Sequence, residues 1–226
     1  MRMRVLILVL GSLLAGTSRA TTIAIDMQVD GGGFIAVASS AGTAVGPVSV
    51  VIGGVFEVGN ISGSAASGND LLSSALSVTL LTSGTHTLTI ATSSDGYTSP
   101  AGPSLLVQSG EGGTYVSGTS AVTFQAFADK NNALRGMGDF TAGLQTAVPP
   151  SGSATTFATG EALGLFTRLA TPYSLTSITE ITMTGVGATA NFANHVIVTM
   201  PVPEPSVVSL VGLGLLGLFA GRRRLV

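Results

Sequence analysis

The chain has 226 residues with only 9% charged, and a formal net charge of −2, against roughly 25% charged residues in an ordinary soluble domain. Its basic residues gather at the ends, so residues 21–200 hold only Lys130, Arg135 and Arg168 against ten acidic residues, a net charge of −7. Such a surface does not neutralise a phosphate backbone, which argues against nucleic-acid binding; the absence of cysteine excludes disulfides, thiolate metal sites and a thiol nucleophile.

Residues 1–20 read MRMRVLILVLGSLLAGTSRA. Arg2 and Arg4 form a positive start, Val5 to Ala15 an apolar run too short to span a bilayer comfortably, and Ser18-Arg19-Ala20 a small-x-Ala ending. This pattern predicts a signal peptide cut after Ala20, and hence signal peptidase as a partner.

Residues 21–200 predict one exported domain of antiparallel strands. Ile23, Ile25, Met27 and Val29 alternate with smaller or polar residues, and Gly31-Gly32-Gly33 closes the run. Val48–Ile52 and Val55–Val58 flank Gly53-Gly54, a hairpin signal. Leu76–Leu80, Thr85–Ile90, Ser104–Gln108, Ala121–Ala128, Ile178–Thr184 and Ala188–Met200 follow as strands. Ser93–Pro103, Gly110–Gly113, Thr146–Ser153 and Gly185–Gly187 read as connections. Glu161–Leu169 alone predicts a short helix. Many short strands without a repeat period indicate a β-sandwich of jelly-roll or Greek-key type rather than a solenoid. Phe34, Phe56, Phe124, Phe127, Phe157, Phe166 and Phe192 are its expected core aromatics.

The tail begins with the proline-rich Pro201 to Pro205, which suits neither helix nor central strand. Ser206 to Ala220 is an uncharged apolar run of 15 residues, short of the about 20 of a full span. With Gly221 it predicts a transient membrane helix over 206–221. Arg222, Arg223 and Arg224 then form a cytoplasmic stop. Gly212 to Gly217 matches G-x-G-x-x-G, but that fingerprint has meaning only between a strand and a helix. The order Val202-Pro203-Glu204-Pro205, apolar run, arginine cluster resembles the PEP-CTERM sorting signal of Gram-negative bacteria. The resemblance implies a membrane transpeptidase of the exosortase type that cuts near Pro203-Glu204-Pro205. It also implies transient inner-membrane anchoring, final residence at the cell surface or outside the cell, and an association with exopolysaccharide and biofilm. The same tail occurs on some ice-binding proteins.

The middle domain has no H-E-x-x-H, G-x-S-x-G or phosphate-loop sequence. His86 and His195 each lie within a strand pattern, and Glu57, Glu111, Glu161 and Glu180 show no spacing that pairs carboxylates for glycoside hydrolysis. Asp129, Asn131, Asn132 and Asp139 cluster in one loop and are weak candidates for calcium, although Asp and Asn are also ordinary turn formers. Thr85, Thr87 and Thr89, and Thr182 and Thr184, each point to one face, the arrangement ice binding would need in a longer lattice. Tyr97, Tyr115 and Tyr173 are the only tyrosines for stacking on a sugar, and there is no tryptophan. The expectation is a non-enzymatic surface or matrix protein without a cofactor. The alternative is a carbohydrate-binding module for exopolysaccharide, ahead of an ice-binding protein or a polysaccharide-active enzyme.

Overall fold

The computed structural model describes residues 22–147, 155–168 and 172–201. The signal segment with Ala20, the sorting residues Val202, Pro203, Glu204 and Pro205, the apolar run and Arg222, Arg223 and Arg224 lie outside the described residues. Thirteen strands and no helix appear among those described. They are β1 Thr22–Val29, β2 Ile35–Ala41, β3 Ala44–Ile52, β4 Phe56–Ser64, β5 Asp70–Leu80, β6 Thr85–Tyr97 and β7 Ser104–Ser117. Then come β8 Thr119–Asp129, β9 Phe140–Thr141, β10 Gln145–Ala147, β11 Thr155–Thr167, β12 Tyr173–Thr184 and β13 Thr189–Thr199.

The strands form two antiparallel sheets. Sheet A runs β10-β8-β12-β6-β1-β2, with β9 also paired to β8, and sheet B runs β11-β7-β13-β5-β4-β3. From β5 onward the chain passes back and forth between them, so that β5, β13, β7 and β11 face β6, β12, β8 and β10. This wiring is that of a jelly roll. The apolar members of each alternation point between the sheets: Ile23, Ile25 and Met27 of β1, Leu88 and Ile90 of β6, Val122 and Phe124 of β8, and Phe192, Val196 and Val198 of β13 are all buried. Each such side chain contributes about 1.5–3 kcal/mol on removal from water.

Several expectations change. Of the stretch Glu161–Leu169 expected to be helical, the described residues 161–168 form no helix: Glu161 to Thr167 pair without interruption with β7, from Gly110 to Ser104, and the ladder overrides local preference. Gly110–Gly113 and Ser93–Tyr97 lie inside β7 and β6 rather than in loops. Phe34 and Phe127 are half-buried and outside the core that holds Phe56, Phe124, Phe166 and Phe192, while Phe157 packs at its margin. Phe127 points to the outer face of sheet A, because β8 buries Val122, Phe124, Ala126 and Ala128 instead.

The Gly53-Gly54 hairpin forms as expected: Val55 N–H donates to Ile52 C=O at 3.0 Å, with both glycines at positive φ, 60° and 70°. Such values favour residues without a Cβ.

Candidate functional site

The three tyrosines are not a stacking platform. All are buried, and each hydroxyl donates to a main-chain carbonyl: Tyr97 to Asp70 at 2.7 Å, Tyr173 to Ser99 at 2.7 Å and Tyr115 to Ala147 at 3.2 Å. Tyr97 and Tyr173 stack at 5.4 Å, and the Arg168 guanidinium lies 5.7 Å from the Tyr173 ring centre. These aromatics close the core at the end where β6 finishes. Burial raises the pKa of Tyr97 and of Tyr173.

The loop between β8 and β9 uses its oxygens internally. Lys130 donates to Asp139 through Nζ at 2.5 Å and through its main-chain N–H at 2.8 Å. Asn131 N–H donates to Asp129 Oδ1 at 2.9 Å, and Gly96 N–H donates to Asn132 Oδ1 at 2.7 Å. The side-chain hydrogen bond from Lys130 lowers the pKa of Asp139. These residues act as turn formers and tie the loop down over sheet A. Among the described residues no group of three or more His, Cys, Asp or Glu side chains is placed to hold a metal ion.

The threonines do come together. Thr85 and Thr184 hydroxyls lie 2.8 Å apart and those of Thr87 and Thr182 3.1 Å apart, on one face of sheet A. The next rung pairs Thr89 with Glu180, so the threonine ladder stops there.

The two histidines lie on different sheets. His86 Nδ1 is 2.7 Å from Asp30 Oδ2; this hydrogen bond raises the imidazole pKa and lowers that of the carboxyl. His195 Nε2 lies 3.2 Å from Glu161 Oε2, which also accepts from Gln108 Nε2 at 3.2 Å.

This second cluster sits in a furrow across the outer face of sheet B. Two adjoining depressions, of about 340 Å³ and 260 Å³, meet at β13. Register explains the furrow. Ser62 of β4 faces Ser74 of β5, Ser74 faces Ala193 of β13, Ala193 faces Gly112 of β7, and Gly112 faces Ala158 of β11. One rung away, Leu72, His195, Gly110 and Glu161 form a parallel row. Small residues at successive rungs leave a channel. A methyl group on Gly110 would meet Glu161 Oε1 at 2.8 Å and Gly160 C=O at 3.0 Å, so a larger residue there would crowd the channel and push the Glu161 side chain aside. Where the furrow reaches β11 the ladder is broken by a bulge: the Thr159 hydroxyl accepts from Glu111 N–H at 3.1 Å in place of a main-chain partner. Bulges are enriched beside functional surfaces.

Beneath the furrow, on the core side of sheet B, lies a polar group that composition did not single out. Glu111 is buried, and its Oε2 accepts from the Thr179 hydroxyl and from Asn194 Nδ2 at 3.3 Å; Asn194 Nδ2 also donates to Thr179 Oγ1 at 3.0 Å. Burial pushes the Glu111 carboxyl up to about 8, against the opposing effect of Thr179 and Asn194. Glu111 Oε1, Asn194 Oδ1, Gln145 Oε1 and Ser109 Oγ have no hydrogen-bond partner. Glu111 and Glu161 therefore lie on opposite sides of one sheet and do not face each other across a cleft.

Residues 201–224 match the family model of the PEP-CTERM protein-sorting motif, which bears out the resemblance read from the tail. No curated protein matches the chain. Among solved structures, the chain is similar to the enzymatically active domain of tailspike protein 4 of bacteriophage CBA120. That likeness has 15% identity, 57% of this chain covered, 16% of that chain covered and a TM-score of 0.30. It is also similar to TmCBM61, solved in complex with β-1,4-galactotriose, at 10% identity, 68% and 88% coverage and a TM-score of 0.27. Likeness at these scores carries no argument about function.

Proposed function

We propose that a chain with this PEP-CTERM sorting motif is made as a precursor whose signal peptide ends at Ala20, whose cargo is residues 21–200 and whose tail is residues 201–226. In this reading the tail holds the cargo at the inner membrane until an exosortase-like transpeptidase acts near Pro203-Glu204-Pro205. The cargo then resides at the cell surface or outside the cell as a non-enzymatic surface or matrix protein. The observation that carries this reading is the position of the motif: β13 ends at Thr199 and the match begins at Pro201, so the last strand is finished before the sorting segment starts. Intact mass and cell fractionation test it. Wild-type protein should lack residues 1–20 and the residues beyond the cut, and should leave the membrane. Replacing Arg222, Arg223 and Arg224 with alanine should leave the tail attached. Unchanged maturation of that variant would overturn the proposal.

A second reading, binding of exopolysaccharide, is favoured by the furrow. It offers serine hydroxyls at one end, the Glu161–His195–Gln108 group at the other, and a floor of small residues that a sugar ring can approach closely. In an acidic domain such a site suits a neutral polymer. Affinity electrophoresis in gels cast with the polysaccharide that the cells secrete should retard the protein. Glu161→Gln should weaken the retardation roughly tenfold, the loss of about one charge-assisted hydrogen bond. Absence of any retardation of the wild type would remove this reading.

A further inference from the structure

The two edges of sheet B differ. At one, β3 carries Pro47 and its register shifts twice against β4, between Val45 and Val48 and between Val48 and Val50. Proline and irregular pairing are the usual means of keeping an edge from taking another strand. At the other, β11 is 13 residues long, contains no proline, lysine or arginine, and has Glu161 as its one charge. Its register with β7 is unbroken from Glu161 to Thr167. Leu163 and Leu165, 61% and 63% exposed, stand on its outward face.

The direction of the main-chain groups follows from one hydrogen bond. Arg168 N–H donates to Pro103 C=O at 2.7 Å, continuing the ladder from Thr167 opposite Ser104. Main-chain N–H and C=O groups alternate in direction along a strand. Phe166, Gly164 and Ala162 therefore bond toward β7, and Thr167, Leu165, Leu163 and Glu161 present theirs to the side on which no strand pairs with β11 among the described residues.

This segment is complementary to itself. Antiparallel pairing of two copies about Gly164 sets Leu163 of each opposite Leu165 of the other, and Glu161 opposite Thr167. Each of these pairs exchanges two hydrogen bonds. The four leucines meet on one face, and no like charges stand opposite each other. We propose that β11 is a self-association site, through which a second copy of this chain joins edge to edge and makes sheet B continuous across a two-fold axis.

The natural chain has no cysteine, which makes the register testable in the full-length protein. Two tagged forms, Leu163→Cys and Leu165→Cys, are co-expressed and oxidised on the intact cells and in their medium. Opposed residues in such a pair have Cα atoms about 5.5 Å apart, within disulfide reach, whereas diagonal ones at roughly 7–8 Å are not. The expected result is a disulfide-linked dimer carrying both tags, with little from either variant alone. Sedimentation of the wild type recovered from the cells should give a dimer, and Leu163→Lys with Leu165→Lys, at two exposed positions, should give a monomer with an unchanged circular dichroism spectrum. A monomeric wild type, or cross-linking confined to the single variants, would overturn the proposal.

Discussion

Glu111 holds one carboxylate oxygen between two donors and the other against none. Its folded pKa of about 8 lies above the ordinary 4.5. Below the ordinary value both folded and unfolded chains keep the proton. Between about 4.5 and about 8 only the folded chain does, so stability falls as pH rises, by roughly 1 kcal/mol per pH unit from this group, and levels off above. Glu111→Gln keeps an oxygen for Thr179 and Asn194 and cannot ionise. Urea unfolding of the variant should show a flatter pH profile across this window and greater stability than wild type at pH near 8; an equal slope would show that another group is responsible. The sequence displayed Glu111 only as one of several unpaired glutamates. Its glycine-rich neighbourhood looked like a loop, and a loop glutamate is a solvated one.

At the scale of elements, the alternation of large apolar with small polar residues was legible wherever one face of a strand is buried. β1, β8 and the second half of β12 were read nearly to their ends for that reason. The pattern fails where both faces of a strand are covered. Ser93 and Ser94 of β6, adjacent and therefore on opposite faces, are both buried, so no alternation survives there. It fails again in β7, where glycines are demanded by close approach rather than by a turn: a methyl group on Gly113 would meet Asn191 O at 2.0 Å. β11 was hidden for another reason. Its leucines point outward and its inward positions 162 and 164 are alanine and glycine, the reverse of an ordinary surface strand. The furrow was not legible at all, since it arises from rungs brought together by five strands spread over the whole domain.

In the whole molecule, both ends of the described chain lie at one pole. Thr22 N–H donates to Asp95 Oδ1 at 2.8 Å, Tyr97 of the same strand reaches Asp70 O at 2.7 Å, and Val198 N–H donates to Asn69 C=O at 2.8 Å. The turns at Gly31, Gly53-Gly54, Gly84, Gly118 and Gly185 gather at the opposite pole, as the hydrogen bonds from Gly185 to Gly84 and from Thr184 to Gly118 show. A tail-held domain would present those turns outward. An epitope inserted between Gly53 and Gly54 should be bound by antibody on intact cells, and one at Ser67-Gly68 bound much less while the tail is attached; equal binding would contradict this orientation.

The strand that leads into the tail is β13, and it lies in the interior of sheet B with β7 on one side and β5 on the other. A drag on an anchored domain runs along the axis of that strand. Both flanking ladders then resist together in shear, rung by rung in parallel, instead of peeling open from one end as they would for a terminal strand at a sheet margin.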